Sequence, residues 1–197
     1  NKDHEVLRIL SEAVRLMSEG ELLQIEKSRN LNLSEAVYYE IINGKTASLL
    51  ASACAAGAST TFTDPADIET MRLFGEKVGM AFQIKDDLFD YSSKNIGKPT
   101  GNDIKEKKLT LPLIYILNNC PPSLKKQIIY IVKNQNTQKD KVAFVIEQVE
   151  ALGGIDYATK KMFTYRDEAL ELLYRFPTSP IRDALEELVR YTTDREY

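Results

Sequence analysis

Phe82-Gln83-Ile84-Lys85-Asp86-Asp87-Leu88-Phe89-Asp90 is the stretch on which the reading of this chain turns. Read as a helix, it puts Gln83, Asp86, Asp87 and Asp90 on one face, at spacings i, i+3, i+4 and i+7. Three carboxylates on one strip repel one another, by about 0.2–0.5 kcal/mol per neighbouring pair even on an open surface. Leu88 and Phe89 show that the same turn also packs against apolar neighbours, which raises that cost. A cation is the natural compensation. Ligands that are all oxygen favour Mg²⁺ or Ca²⁺ over zinc or copper. Mg²⁺ typically takes one or two protein carboxylates and completes its shell with water and phosphate oxygens. The strip reads as a site for a magnesium-bound phosphate group, with a solvated acidic face as the other reading of the same spacing. An EF-hand loop is excluded, since its glycine and terminal glutamate are absent at the right offsets.

On both sides of this stretch the signal is helical. Asp64-Pro65-Ala66-Asp67 is a strong helix start, with a capping Asp, Pro at the first helical position and acid in the first turn. That helix is expected to run past Asp90. Ser34 is the N-cap of an earlier segment that reaches about Ser59. Its second half, Ala47 to Ala58, is crowded with small residues that let neighbouring backbones approach, so it is expected at the centre of a bundle. Val6, Leu7, Leu10, Val14 and Met17 recur at helix spacing; Gly20 interrupts the pattern, and Leu22, Leu23 and Ile25 resume it. Asn30-Leu31-Asn32-Leu33 reads as a connection, and Ser92 to about Asn102 as a polar loop. Leu109 to Leu117 is a short apolar segment, and Pro121-Pro122 opens another helix. Lys139 to Leu152 is amphipathic and stops at Gly153-Gly154. Ile155 to Phe176 and Ile181 to about Thr193 complete the set. No long strand alternation or short repeat competes. The expectation is all-α: a helical bundle in one domain over residues 1–197.

Composition narrows the function classes. Of 197 residues, 43% are hydrophobic and 28% charged, which excludes wholesale disorder. A net charge of −3 argues against a nucleic-acid partner. Any polyanion would be held by a few placed lysines. Cys54 and Cys120 lie in apolar stretches without disulfide or zinc spacing, and read as small buried hydrophobes in a reducing cytoplasm. No secretory leader is read at the N-terminus. No run approaches the roughly 20 apolar residues that span a bilayer, so the chain is not expected to be transmembrane.

Two stretches supply the opposite charge. Gly44-Lys45-Thr46 resembles the end of a P-loop, but Tyr39 occupies the place of the first glycine and no strand precedes it. Lys45 lies instead in an apolar, small-residue helix, where it needs an anionic partner or must reach to water. Gly97-Lys98-Pro99-Thr100-Gly101-Asn102-Asp103, followed by Lys107-Lys108, is a glycine-bearing loop that could close over a diphosphate; an ordinary surface loop is the other reading. His4 is the single histidine and sits in a polar stretch, which argues against a Ser-His or Cys-His nucleophile. A di-metal centre built on Glu-x-x-His pairs is excluded.

Together these features resemble the trans-isoprenyl (polyprenyl) diphosphate synthase family. Phe82-Gln83 with Asp86-Asp87-Leu88-Phe89-Asp90 is similar to that family's second aspartate-rich motif. Gly44-Lys45-Thr46-Ala47 resembles its lysine-threonine helix. Gly97-Lys98 through Asp103, then Lys108-Leu109-Thr110-Leu111-Pro112, resembles the loop and helix start that follow. Gly20-Glu21-Leu22-Leu23-Gln24 resembles a further helix of the active-site wall. The order and spacing agree over about the whole chain. The resemblance implies the isoprenoid synthase fold, helices around a deep cavity, and condensation of an allylic prenyl diphosphate with isopentenyl diphosphate into a longer all-trans product. It implies Mg²⁺ on Asp86, Asp87 and Asp90, and Lys45, Lys98 and Lys108 against the leaving diphosphate. Thr46 and Gln83 would face the developing allylic cation as neutral dipoles. A homodimer is the implied assembly.

The chain departs from that family in lacking a first aspartate-rich motif and the basic residues that bind isopentenyl diphosphate. A fragment without the N-terminal helices, inactive alone, is therefore expected. Gln24 stands where some short-chain members carry an acid, which favours a medium or long product. A non-catalytic subunit of a heteromeric synthase, a class I terpene cyclase and a plain structural bundle are the alternatives.

Overall fold

The Asp64 side chain accepts a hydrogen bond from the Ala66 N–H (2.9 Å), and Pro65, which has no N–H to leave unpaired, opens the helix α4, Pro65–Phe89. The other helices gather around it. The computed structural model describes residues 3–28, 34–91 and 100–195, and among these there is no strand. In order they form α1 (Asp3–Ser28), α2 (Glu35–Ile42), a π-helical turn (Asn43–Ala47), α3 (Ser48–Ser59), α4, a short α5 (Asn102–Lys105), α6 (Leu111–Asn119), α7 (Pro122–Asn134), α8 (Lys139–Ala151), α9 (Gly154–Leu173) and α10 (Pro180–Asp194). Among the described residues no helix is long and apolar enough to cross a membrane.

The core has two parts. Ile84, Ile104, Leu113, Ile116, Val145 and Met162 belong to the larger, and Phe74, Ala169, Leu173 and Val189 to the smaller. Each fully buried large side chain contributes about 1.5–3 kcal/mol relative to exposure. Both parts draw on α4, whose apolar positions face inward on successive turns.

Three sequence expectations change. Gly20 does not interrupt α1, which runs unbroken from Asp3 to Ser28. The glycine marks a crossing instead: a Cβ there would lie 2.6 Å from the Lys45 backbone nitrogen. The segment after Ser34 is not one continuous α-helix. It passes through the π turn, where the Ser48 N–H bonds to the Asn43 carbonyl five residues back. Third, α4 ends at Phe89, with Asp90 as its C-cap. The Asp90 carbonyl accepts from the Gly101 N–H (3.0 Å), and its carboxylate accepts from the N–H groups of Asn102 (2.7 Å) and Asp103 (3.0 Å). Those three bonds turn the chain back and start α5. Cys54 and Cys120 are free thiols and half-buried rather than fully buried. Asn30 to Leu33 and the part of the polar loop that holds Gly97, Lys98 and Pro99 lie outside the described residues.

Candidate active site

A cavity of about 270 Å³ opens between the C-terminal part of α1, α2, the π turn, the end of α4 and the strand-like approach to α6. Lys45, Thr46, Gln83, Asp86, Asp87 and Lys108 all line it, so six of the eight residues singled out from the sequence meet at one place. Asp103 and Tyr38 line it as well.

The α4 wall carries the acids. Asp86 is exposed at the rim, while Asp87 is 7% exposed. Both Asp87 oxygens are held: Tyr38 donates its hydroxyl to one (2.7 Å), and Gln83 its amide N–H to the other (2.9 Å). Burial pushes the Asp87 carboxyl up to about 7; the Tyr38 and Gln83 bonds oppose this, and the charges of Asp103 and Asp86 add to it. Asp103 rises to about 6, through burial and then the Asp90 carboxylate, with Lys108 opposing. Asp87 is a buried acid and Asp103 a half-buried one, and both are short of positive charge.

The facing wall carries the amines. Lys45 and Thr46 sit on the π turn, whose i→i+5 bonding brings successive side chains closer around the axis than in an α-helix. Lys45 Nζ pairs with Glu21 (2.7 Å) and donates to the Gln24 side-chain oxygen (2.7 Å), so its anionic partner is found. Thr46 donates its hydroxyl to the Gln83 carbonyl oxygen (2.8 Å), which links the two walls. Lys108 pairs with Glu106 and lies 3.9 Å from Asp103. It follows Lys107, a non-glycine residue in the left-handed region with φ of 59°, a conformation that needs the surrounding structure to hold it.

Asp90 does not join this group. It faces the backbone of α5 rather than the cavity, and burial raises its pKa against the pull of the Asn102 and Asp103 amides. Lys98 lies outside the described residues. Among the described residues no set of three or more acid, histidine or cysteine side chains is arranged to hold a metal alone. The donors do fit a hard cation that brings its own ligands: Asp86 and Asp87 are adjacent carboxylates, and the raised pKa of buried Asp87 is a deficit that positive charge relieves.

Sequence reasoning passed over Tyr38 and left Asp103 inside a loop motif. Tyr38 had a signal, since it stands seven residues before Lys45 and shares its helix face. Asp103 had none of its own, because its place depends on the Asp90 bonds.

Comparison with known proteins gives this arrangement its context. The profile of the polyprenyl synthetase family matches residues 1–149. An octaprenyl diphosphate synthase from Escherichia coli (strain K12) is 30% identical over 194 residues, which are 98% of this chain and 60% of that protein. The crystal structure of a geranylgeranyl pyrophosphate synthase from Bacteroides thetaiotaomicron superposes with a TM-score of 0.90 at 39% identity, over 98% of this chain and 64% of that one. That of a polyprenyl synthase from Caulobacter crescentus CB15, complexed with calcium and isoprenyl diphosphate, gives 0.89 at 36% identity, over 97% and 59%. The chain thus spans about 60% of the length of relatives it matches almost throughout. An all-α isoprenoid synthase fold, a cavity faced by paired acids and lysines, and a family profile over three quarters of its length agree: this chain belongs to the polyprenyl synthetase family, the trans-isoprenyl diphosphate synthases.

Proposed function

We propose that the protein carrying this sequence is a prenyltransferase that condenses an allylic prenyl diphosphate with isopentenyl diphosphate to give a longer all-trans polyprenyl diphosphate. The observation that carries this reading is one cavity lined by Asp86 and Asp87 of α4, Lys45 of the π turn and Lys108 before α6, with the linked neutral dipoles of Thr46 and Gln83 among them. Mg²⁺, held through Asp86 and Asp87, would supply positive charge to the diphosphate as it leaves.

The rest belongs to the chain's own residues. Lys45 and Lys108 exchange their carboxylate partners for diphosphate oxygens, and the sequence motif assigns Lys98 the same task. Each ammonium stabilises charge that grows as the allylic C–O bond breaks. The apolar lining from Ile41, Ile42 and Leu109 keeps water away from the cation left behind. Thr46 and Gln83 offer it oxygen dipoles. The alkene of isopentenyl diphosphate then forms the new C–C bond, and loss of one proton to an oxygen of the released diphosphate restores the double bond. Asp90, with its carboxylate committed to backbone amides, serves the site by holding Asp103 at the cavity. We read the assembly as a homodimer, and the compartment as a reducing cytoplasm, which the free thiols of Cys54 and Cys120 support.

Calorimetry with a non-hydrolysable allylic diphosphate tests the site. Binding heat is expected with Mg²⁺ and not with EDTA; no heat in either condition ends this reading. Condensation with labelled isopentenyl diphosphate then tests the reaction.

A further inference from the structure

Tyr38 is 3% exposed, and its hydroxyl reaches Asp87 across 49 positions of sequence. Its phenol is aimed into the cavity wall from α2, an element that carries none of the acids lining the cavity. An ionised carboxylate can only accept hydrogen bonds. With one Asp87 oxygen taken by Tyr38, the other is left for Gln83, which must turn its NH₂ end toward it. The Gln83 carbonyl then faces Thr46, and the Thr46 hydroxyl proton is committed to it. What remains of Thr46 for the cavity is its lone pairs. The order of donors and acceptors therefore runs from Tyr38 to the dipole nearest the reacting carbon.

The helix that delivers Tyr38 is itself pinned. Glu35, in its first turn, accepts from Tyr39 (3.0 Å) and from Tyr157 of α9 (2.6 Å), so α2 is tied to a second element as well as to α4. Without the phenol oxygen, a buried Asp87 oxygen would lose its donor, and either the carboxylate or the Gln83 amide would rotate to serve it.

We propose that Tyr38 is a positioning residue of this site: by occupying one Asp87 oxygen it fixes the Thr46–Gln83–Asp87 chain in the sense that presents an acceptor to the allylic cation. The inference rests on the prenyltransferase reading. It acts on the transition state, because the dipole matters only as positive charge develops.

The test is Tyr38→Phe in the protein carrying this sequence. We expect kcat to fall about tenfold with KM for the allylic diphosphate within about twofold, the pattern of an interaction made in the transition state. In Thr46→Val protein, the added Tyr38→Phe change should cost little more, because the two act through one chain. The Gln83 side-chain amide signals in the metal-free protein should shift in Tyr38→Phe, a readout that needs no turnover. Thermal melting checks that the variant is folded. A folded Tyr38→Phe protein with unchanged kcat, unmoved Gln83 signals, or losses that add fully to Thr46→Val overturns the inference alone. A wild-type protein without magnesium-dependent turnover overturns the function and this inference with it.

Discussion

The two walls of the cavity are built in opposite ways. The acidic wall is regular α-helix, and its side chains fall where period 3.6 puts them. The basic wall is a π turn, wedged between two glycine crossings: Gly20 of α1 stands on one side, and on the other a Cβ at Gly79 of α4 would lie 2.5 Å from the Ala47 Cα. On the regular wall, chemistry resides in side chains that could be exchanged without moving the backbone. On the irregular wall, the backbone path is itself the device, and packing against two neighbouring helices decides where an ammonium sits. The lesson is that a substitution on the first wall should separate function from stability, and one on the second should not.

The largest expected effect concerns Asp87. Its folded pKa is raised from 3.8 to about 7, so the folded state holds this proton more tightly than the unfolded chain. The favourable contribution is complete below 3.8 and is lost as pH rises through about 7. Metal-free Asp87→Asn protein should therefore gain on wild type as pH rises from 4 to 8, by on the order of 4 kcal/mol in urea unfolding. A gap that stays flat with pH would show that Asp87 carries no unusual burden. Next, Asp86→Ala should lower magnesium-dependent turnover by about 10²–10³-fold, as loss of a charge-stabilising group does, with melting almost unchanged. Equal losses in turnover and stability would break the contrast between the walls. Third, Gly79→Ala should cost about 1–3 kcal/mol through overpacking and weaken diphosphate affinity at the same time. If affinity held while stability fell, the π turn would not depend on its clamp. The smallest is Asp90→Ala, about 1 kcal/mol for a lost helix cap, read as faster amide exchange at Asn102 and Asp103.

Much of this was legible beforehand. The helices from Pro65 and Pro122 begin where a capping residue and prolines announce them. Asp86, Asp87 and Gln83 could be placed on one face by counting. Lys45 could be flagged because an ammonium among small apolar residues demands a partner, and Glu21 is that partner. Asp90 shows where counting fails. It obeys the same period as Asp87, yet three backbone amides of a returning chain claim it. Gly20 shows the same failure in another form: a helix breaker by propensity, it lies inside an unbroken helix because contact with Lys45 outweighs the roughly 1 kcal/mol that glycine costs.

Sequence alone determined the helical class, the acidic face of α4 and six of the side chains that line the cavity, because caps, periodicity and charge act within a turn or two of helix. Only tertiary structure decided that Tyr38 closes on Asp87, that Lys45 rides a π turn and that Asp90 turns away. Those outcomes depend on which backbones approach across tens of residues, and hydrogen bonds made at such crossings leave no period in the chain to read.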